Sequence, residues 1–182
     1  PCSSAASDVY KRQDLYDETY KYIKAINTEL DEISLGLLSN TVLTYSDLIT
    51  NRNTDYKFDL EKFTNVNGKT GIYIQYANVR AQKLINDSTL EVSDFSILSK
   101  ELDNNDKSLL RSFIKFEFYF EQTIKNNEPH HLADYLYEIS QKFNALYQGI
   151  NILQNENALL KKNKLKITDL FLQYSNLLME CL

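Results

Sequence analysis

Residues 65–83, NVNGKTGIYIQYANVRAQK, decide how the rest of the chain reads. A glycine-bearing loop, Val66-Asn67-Gly68-Lys69-Thr70-Gly71, runs into a segment whose side chains sort onto two faces at helical spacing. Ile74, Ala77, Ala81, Leu84 and Ile85 form one face, the stripe expected to enter a core. Tyr73, Tyr76, Arg80 and Lys83 follow one another at i, i+3, i+7 and i+10 on the neighbouring face. No acidic residue occurs between Lys62 and Asn86, although the chain carries a formal charge of −5. Two phenols in line with two cations suit a grip on unstacked bases and phosphates. The same spacing equally suits a boundary between core and solvent, because tyrosine joins an apolar ring to a polar tip. The residues alone leave both readings open.

Working outward, 182 residues can hold one ordinary domain, or one domain and part of another. A hydrophobic share of 43% is ample for a core, and only four glycines and two prolines favour long helices over a turn-rich β fold. The expected body is all-α. Net acidity excludes a generic nucleic-acid coat but allows a localised RNA contact. A second acid-free stretch, Asn157 to Thr168 with Lys161, Lys162, Lys164 and Lys166, could share such a face; its alternative is a solvated loop or helix end. Cys2 and Cys181 stand near opposite ends and offer neither a disulfide framework nor metal-ligand spacing. No apolar run approaches the ~20 residues that cross a bilayer. A soluble, cytoplasmic protein without a membrane partner is the expectation.

Residues 1–13 read as an adaptor or assembly artefact, disordered and outside the fold. From Asp14, Leu15, Thr19, Tyr22, Ile23 and Ile26 give one amphipathic helix. Thr28 is the expected N-cap of a second helix, with Glu29, Asp31 and Glu32 in its first turn. Its buried side would carry Ile33, Leu37, Leu38, Val42, Leu43, Tyr45 and Leu48, in two pieces around Gly36 or Asn40. Asn51 to Asn65 reads as a connector with a short extended piece at Tyr56 to Phe58, and the domain boundary is placed near Asn65. Asn86 to Asn105 is polar and acidic, a surface excursion. One long helix is expected from Asp106 to Lys125, with Phe113, Phe116, Phe118, Tyr119 and Phe120 packed in the core rather than forming a stacking platform. Pro129 starts the next helix, which buries Leu132, Leu136, Ile139, Phe143 and Leu146. A last helix spans roughly Ile167 to Leu182. The adjacent His130 and His131 are expected to diverge on a helix, so no metal site is expected.

Three blocks, in order, resemble arginyl-tRNA synthetases of class I. Thr70-Gly71-Ile72-Tyr73-Ile74-Gln75-Tyr76-Ala77 with Arg80 resembles the Thr-Gly-x-Tyr-x-Gln-Tyr-Ala run that opens the family's DALR-type anticodon-binding domain. Asp55-Tyr56-Lys57-Phe58-Asp59 resembles an upstream Asp-Tyr-x-Phe-Asp segment. Pro129-His130-His131-Leu132-Ala133-Asp134-Tyr135-Leu136, followed by Phe143-Asn144 and Tyr147, resembles a Pro-x-x-Leu-Ala-x-Tyr-Leu helix. The family often has proline at the position of Ile72, and Ser39-Asn40-Thr41-Val42 departs from its usual glycine-containing sequence.

The resemblance implies a C-terminal fragment. Residues 14–65 would be the end of a class I catalytic domain and 66–182 a helical anticodon-binding domain. Asn67, Gly68, Lys69, Tyr73, Tyr76, Arg80 and Lys83 would contact RNA: the loop shapes the anticodon loop, the tyrosines meet exposed bases, and Arg80 and Lys83 neutralise phosphate. The implied partners are the anticodon arm of arginine tRNA and the rest of the chain's own catalytic domain, in a monomer. The parent would activate arginine with ATP and magnesium. The HIGH and KMSKS motifs that handle ATP do not occur in these residues, and no nucleophile, base and orienter can be assembled. The fragment alone is therefore expected to hold no cofactor and to be inactive. The alternatives are a structural or partner-binding helical bundle and, third, a cysteinyl-type synthetase.

Overall fold

The computed structural model describes residues 12–51, 53–54, 57–88, 100, 102–149 and 151–182. The expectations for residues 1–11, for Tyr56 in the extended piece and for 89–99 of the surface excursion lie outside them. The described residues hold eight α-helices and no strand: α1 (Arg12–Ile26), α2 (Glu32–Ile49), α3 (Leu60–Phe63), α4 (Gly71–Asn86), α5 (Asn104–Phe113), α6 (Phe116–Asn126), α7 (His130–Gly149) and α8 (Ala158–Cys181). None is long and apolar enough to cross a membrane.

Where helices start is a matter of which side chain reaches the unpaired amides of the first turn. α1 begins two residues before Asp14. α2 is capped by Asp31 rather than Thr28: the Asp31 carboxylate accepts from the Ser34 amide at 2.8 Å and from its hydroxyl at 3.1 Å. Those bonds hold the carboxyl below its ordinary range. α2 is then one continuous helix, not two. Val42, Leu43 and Tyr45 are buried as expected, but Ile33 (78% exposed) and Leu37 (66%) face away from the helices packed on it, and Leu35, Ser39 and Ser46 complete the buried side. A helix apolar around most of its circumference gives no periodic signal to choose between faces. The turn of helix at α3, inside the expected connector, rests on Asp59, whose side chain accepts from the Lys62 amide at 3.1 Å.

The single helix expected over 106–125 is broken at Ile114–Lys115 into α5 and α6. The Ser112 carbonyl accepts both the Lys115 amide (3.0 Å) and the phenol of Tyr135 on α7 (2.9 Å), so the ladder tightens into an i to i+3 turn there. The bend lets Phe113 and Phe116 both pack on Tyr174 of α8, at ring-centroid distances of 4.6 and 5.8 Å. It also turns Ile114 (82%), Phe118 (59%) and Ile124 (61%) into solvent, and Phe120 remains partly exposed, so the expected burial of this aromatic cluster holds only for Phe113, Phe116 and Tyr119. Asn127 closes α6 in the left-handed conformation (φ 54°), where asparagine is tolerated.

α8 starts at Ala158, nine residues before the expected Ile167, capped by Asn157, whose side chain accepts from the Leu159 and Leu160 amides. The lysine run is therefore helix, and Lys164 is 1% exposed. Its ammonium donates to Asp106 at 2.7 Å and Asp103 at 2.8 Å, the two carboxylates that form the capping box of α5. Burial works to raise the Asp103 carboxyl, but the bonds from Lys164 and from the Asp106 and Asn105 amides outweigh it and hold it below its usual range.

Two apolar clusters hold the helices together. The larger gathers Ile74, Ala77, Ala81 and Leu84 of α4 with side chains of α5, α7 and α8. The smaller joins Ile23, Leu35, Val42 and Phe63 of α1, α2 and α3. α2 belongs to both, since Tyr45 enters the larger cluster and donates its buried phenol to the Ala133 carbonyl of α7 at 2.9 Å. α4 crosses α2 closely at Gly71, where an added Cβ would lie 2.8 Å from the Thr41 carbonyl oxygen. That glycine is required by helix packing.

Candidate nucleic-acid interface

The loop before α4 is organised by its own side chains. The Asn65 side chain accepts from the Asn67 amide at 2.8 Å, and the Asn65 carbonyl accepts the Gly68 amide at 3.2 Å and the Thr70 hydroxyl at 2.8 Å. Thr70 then caps α4, accepting from the Tyr73 amide at 3.2 Å. Asn67 is exposed and Gly68 half-buried, at the tip of this turn.

From there α4 and α7 lie side by side in the same direction, and their contacts advance in step. Lys69 forms an ion pair with Asp134. Tyr73 is half-buried against Tyr137, with ring centroids 5.2 Å apart. Burial, and then the neighbouring Tyr73 phenol, push the Tyr137 phenol up. Two turns further along, Arg80 lies between two rings: its Cζ is 3.9 Å from the Tyr76 ring centroid and 5.2 Å from that of Tyr147. Its guanidinium donates to the Tyr76 phenol oxygen at 2.7 Å and to the Asn144 side-chain oxygen at 3.0 Å. Among the described residues no carboxylate pairs with Arg80, so its charge is held in place without being neutralised. Tyr76 is 48% exposed, and Lys83 is exposed one turn beyond. Beside Tyr147 opens a cavity of about 280 Å³ walled by Leu84, Ile152 and Leu153, with Gln148 and Asn151 supplying amide groups.

The seven sequence-derived residues thus fall into three groups. Tyr76, Arg80 and Lys83 form an open aromatic and cationic edge. Lys69 and Tyr73 are engaged by α7, and Asn67 and Gly68 shape a turn. The lysine run of α8 does not join them: Lys164 is buried, Lys166 pairs with Asp169 at 3.2 Å, and Lys161 donates to the Leu153 carbonyl at 2.9 Å. The acid-free reading of that run failed because the carboxylate partners of Lys164 lie some sixty residues away in sequence and that of Lys166, Asp169, stands just past the run. Tyr137 was missed. Its signal was present as a stripe at helical spacing, Asp134, Tyr137, Gln141, Asn144 and Tyr147, matching the α4 stripe across the groove.

Two flanking features complete the site. Glu138 accepts from Lys142 at 2.6 Å and Lys115 at 3.1 Å; burial works to raise its carboxyl, but these bonds hold it below the usual range. At the start of α7 the donor atoms of Glu128, His130 and His131 gather within 4.8 Å of one another, contrary to the expected divergence, with the His130 and His131 rings 4.2 Å apart. These are the described residues whose donors could converge on a metal ion.

Residues 74–182 match the family model of the DALR anticodon binding domain. Curated relatives include the arginine–tRNA ligase of Vibrio campbellii, 29% identical over 178 residues, and that of Pasteurella multocida, 36% identical over 124. The first match covers 93% of this chain and 31% of the relative, the second 68% and 22%. The chain therefore matches between about a fifth and a third of the length of these relatives. The solved arginyl-tRNA synthetase of Plasmodium falciparum superposes with a TM-score of 0.74 at 30% identity, covering 94% of this chain and 32% of that one. The Thermus thermophilus arginyl-tRNA synthetase shares the fold, with a TM-score of 0.84 at 18% identity over 96% of this chain and 31% of that one. The chain belongs to the DALR anticodon-binding domain family, in the form carried by arginine–tRNA ligases.

Proposed function

We propose that this chain binds the anticodon arm of an arginine tRNA through the edge of α4 and α7, and that Tyr76, Arg80, Lys83 and Tyr147 make the contact. The observation that carries the reading is Arg80. Its guanidinium is clamped between two tyrosine rings and fixed by Asn144, yet it has no carboxylate partner among the described residues. A planar cation held this way keeps N–H groups for pairing with a phosphate, and the exposed Tyr76 ring beside it suits stacking on a splayed-out base, a contact worth ~1–3 kcal/mol. The cavity beside Tyr147 offers room for one unstacked base between apolar walls and amide groups. Asn67 and Gly68 at the turn, with Lys69 and Tyr73 behind them, flank the same edge.

In this reading the chain selects the tRNA, and arginine activation with ATP and magnesium belongs to other parts of a full-length, cytoplasmic, monomeric arginine–tRNA ligase. The absence of the ATP signature motifs from these residues supports an inactive fragment. The exposed Ile33 and Leu37 on α2 support a covering contact from the remainder of the catalytic domain.

The test is a titration of the purified, folded chain with arginine tRNA at several salt concentrations. Saturable binding that weakens linearly in log–log salt is expected. A folded sample with no binding at low salt would overturn the reading.

A further inference from the structure

A cavity of about 560 Å³ lies where the C-terminal end of α2, the connector, α3 and the loop before α4 meet, and it shares Lys69 with the α4 and α7 edge. Ile49 and Thr50 come from the end of α2, Lys57 from the connector, Lys62 and Phe63 from α3, and Lys69 from the loop. Three lysines around one cavity stand out in a chain of net charge −5. Phe63 is buried and stacked on Phe58 at 5.3 Å, so the floor is a fixed apolar surface, and the Lys62 ammonium stands 5.8 Å from the Phe63 ring centroid.

The charges are not used up within the fold. Lys69 is paired with Asp134, but Lys57 and Lys62 are exposed and have no carboxylate partner among the described residues. The nearby Asp59 directs its side chain to the Lys62 amide, as the cap of α3. Lysines near a helix C-terminus can also serve its exposed carbonyls. Among the described residues none of the three ammonium groups donates to a carbonyl at the end of α2, where the Thr50 hydroxyl donates to the Ser46 carbonyl at 3.0 Å.

We infer that this cavity is a second anion site that takes a phosphate group, with Lys57 and Lys62 as its two charge contacts and Lys69 exchanging Asp134 for the same phosphate when it is occupied. The phosphate source that fits the position is an RNA backbone. The cavity precedes α4, and Arg80 lies nine residues into that helix from Gly71, about 14 Å along its axis. A strand whose backbone meets Arg80 would have this cavity within the reach of a few nucleotides. This assignment rests on the anticodon-arm reading; a free nucleotide is the other source of the same chemistry.

The experiment compares the wild-type chain, the Lys57→Gln/Lys62→Gln double variant and Arg80→Gln, each checked for an unchanged melting curve, in titrations with a labelled anticodon stem-loop RNA at several salt concentrations. The double variant should bind about tenfold or more weakly near physiological salt, with a log–log salt slope shallower by about one, since losing one phosphate contact removes close to one counterion. Arg80→Gln should weaken binding with a slope change of at most about one. If the double variant keeps the wild-type affinity and slope while Arg80→Gln binds more weakly, the anion site is overturned and the RNA reading stands. If the wild type binds no RNA, the RNA reading fails, and the cavity is judged by titrating adenosine monophosphate while following the amide resonances of Lys57, Lys62 and Phe63. Saturable shifts there uphold a phosphate site fed by a free nucleotide, and their absence overturns it.

Discussion

The α4 edge and the lysine run of α8 look alike as sequence and behave oppositely as structure. Each is free of acidic residues, and each has cations at helical spacing. On α4 the cation at the centre, Arg80, is framed by rings and an amide and keeps its charge available to solvent. On α8 the central cation, Lys164, is driven into the interior and neutralised by Asp103 and Asp106 from the start of α5. The difference lies in the neighbour. α7 presents Asn144 and Tyr147 to α4, whereas α5 presents two carboxylates to α8. Local charge therefore says little about surface potential until the packing partner is known.

The largest expected effect is on the α8 side. Lys164→Ala should cost about 3–5 kcal/mol of stability, because it leaves Asp106, which is fully buried, without its counter-charge. Chemical denaturation reads this directly. The double variant Lys164→Met/Asp106→Leu should recover most of the loss, since a buried pair replaced by apolar groups of similar size is often neutral. RNA affinity per folded molecule should be unaffected by either. If the single variant weakens RNA binding while remaining folded, the two regions are not as distinct as described.

On the α4 side the expected pattern is the reverse. Arg80→Gln should lose roughly 1–3 kcal/mol of RNA affinity while shifting stability by less than about 0.5 kcal/mol, as a half-exposed residue outside both cores. A matched loss of stability and affinity would mean that Arg80 serves only to hold α4 against α7.

Acid should separate the regions again, more weakly. The Asp103 carboxyl is held below 3.8, its ordinary value, in the folded chain. Its contribution is therefore complete above that value and is lost as pH falls through the lower folded value. Denaturation midpoints between pH 5 and pH 2 should fall, and Asp103→Asn should flatten the acid end of that curve. Arg80 keeps its charge throughout and adds nothing to this dependence, whereas Glu138 on α7, also held below its usual range, contributes to the same loss in acid.

How much of this was readable beforehand follows from the range of the interactions. The apolar stripes of α4 and α7 were legible because each carries one clear face at 3.6-residue period, and Tyr76, Arg80 and Lys83 fell beside the α4 stripe. The break at Ile114–Lys115 was not, because it depends on a phenol donated by Tyr135 from another helix. The start of α8 was hidden for the same reason: a lysine reads as solvated until Asp103 and Asp106 are seen beside it. Thr28 and Asp31 were both chemically able to cap α2, and only the backbone path selects Asp31. Gly71 looked like part of a ligand-gripping loop, and its close approach to Thr41 could not be inferred from neighbours in sequence.

The most direct test of the central claim is a chemical-shift map of the isotope-labelled chain during titration with an arginine anticodon stem-loop. Saturable shifts are predicted at Tyr76, Arg80, Lys83 and Tyr147, with Lys161 to Lys166 unmoved. Shifts concentrated on the α8 run, or binding that leaves Tyr76, Arg80 and Tyr147 undisturbed, would contradict it.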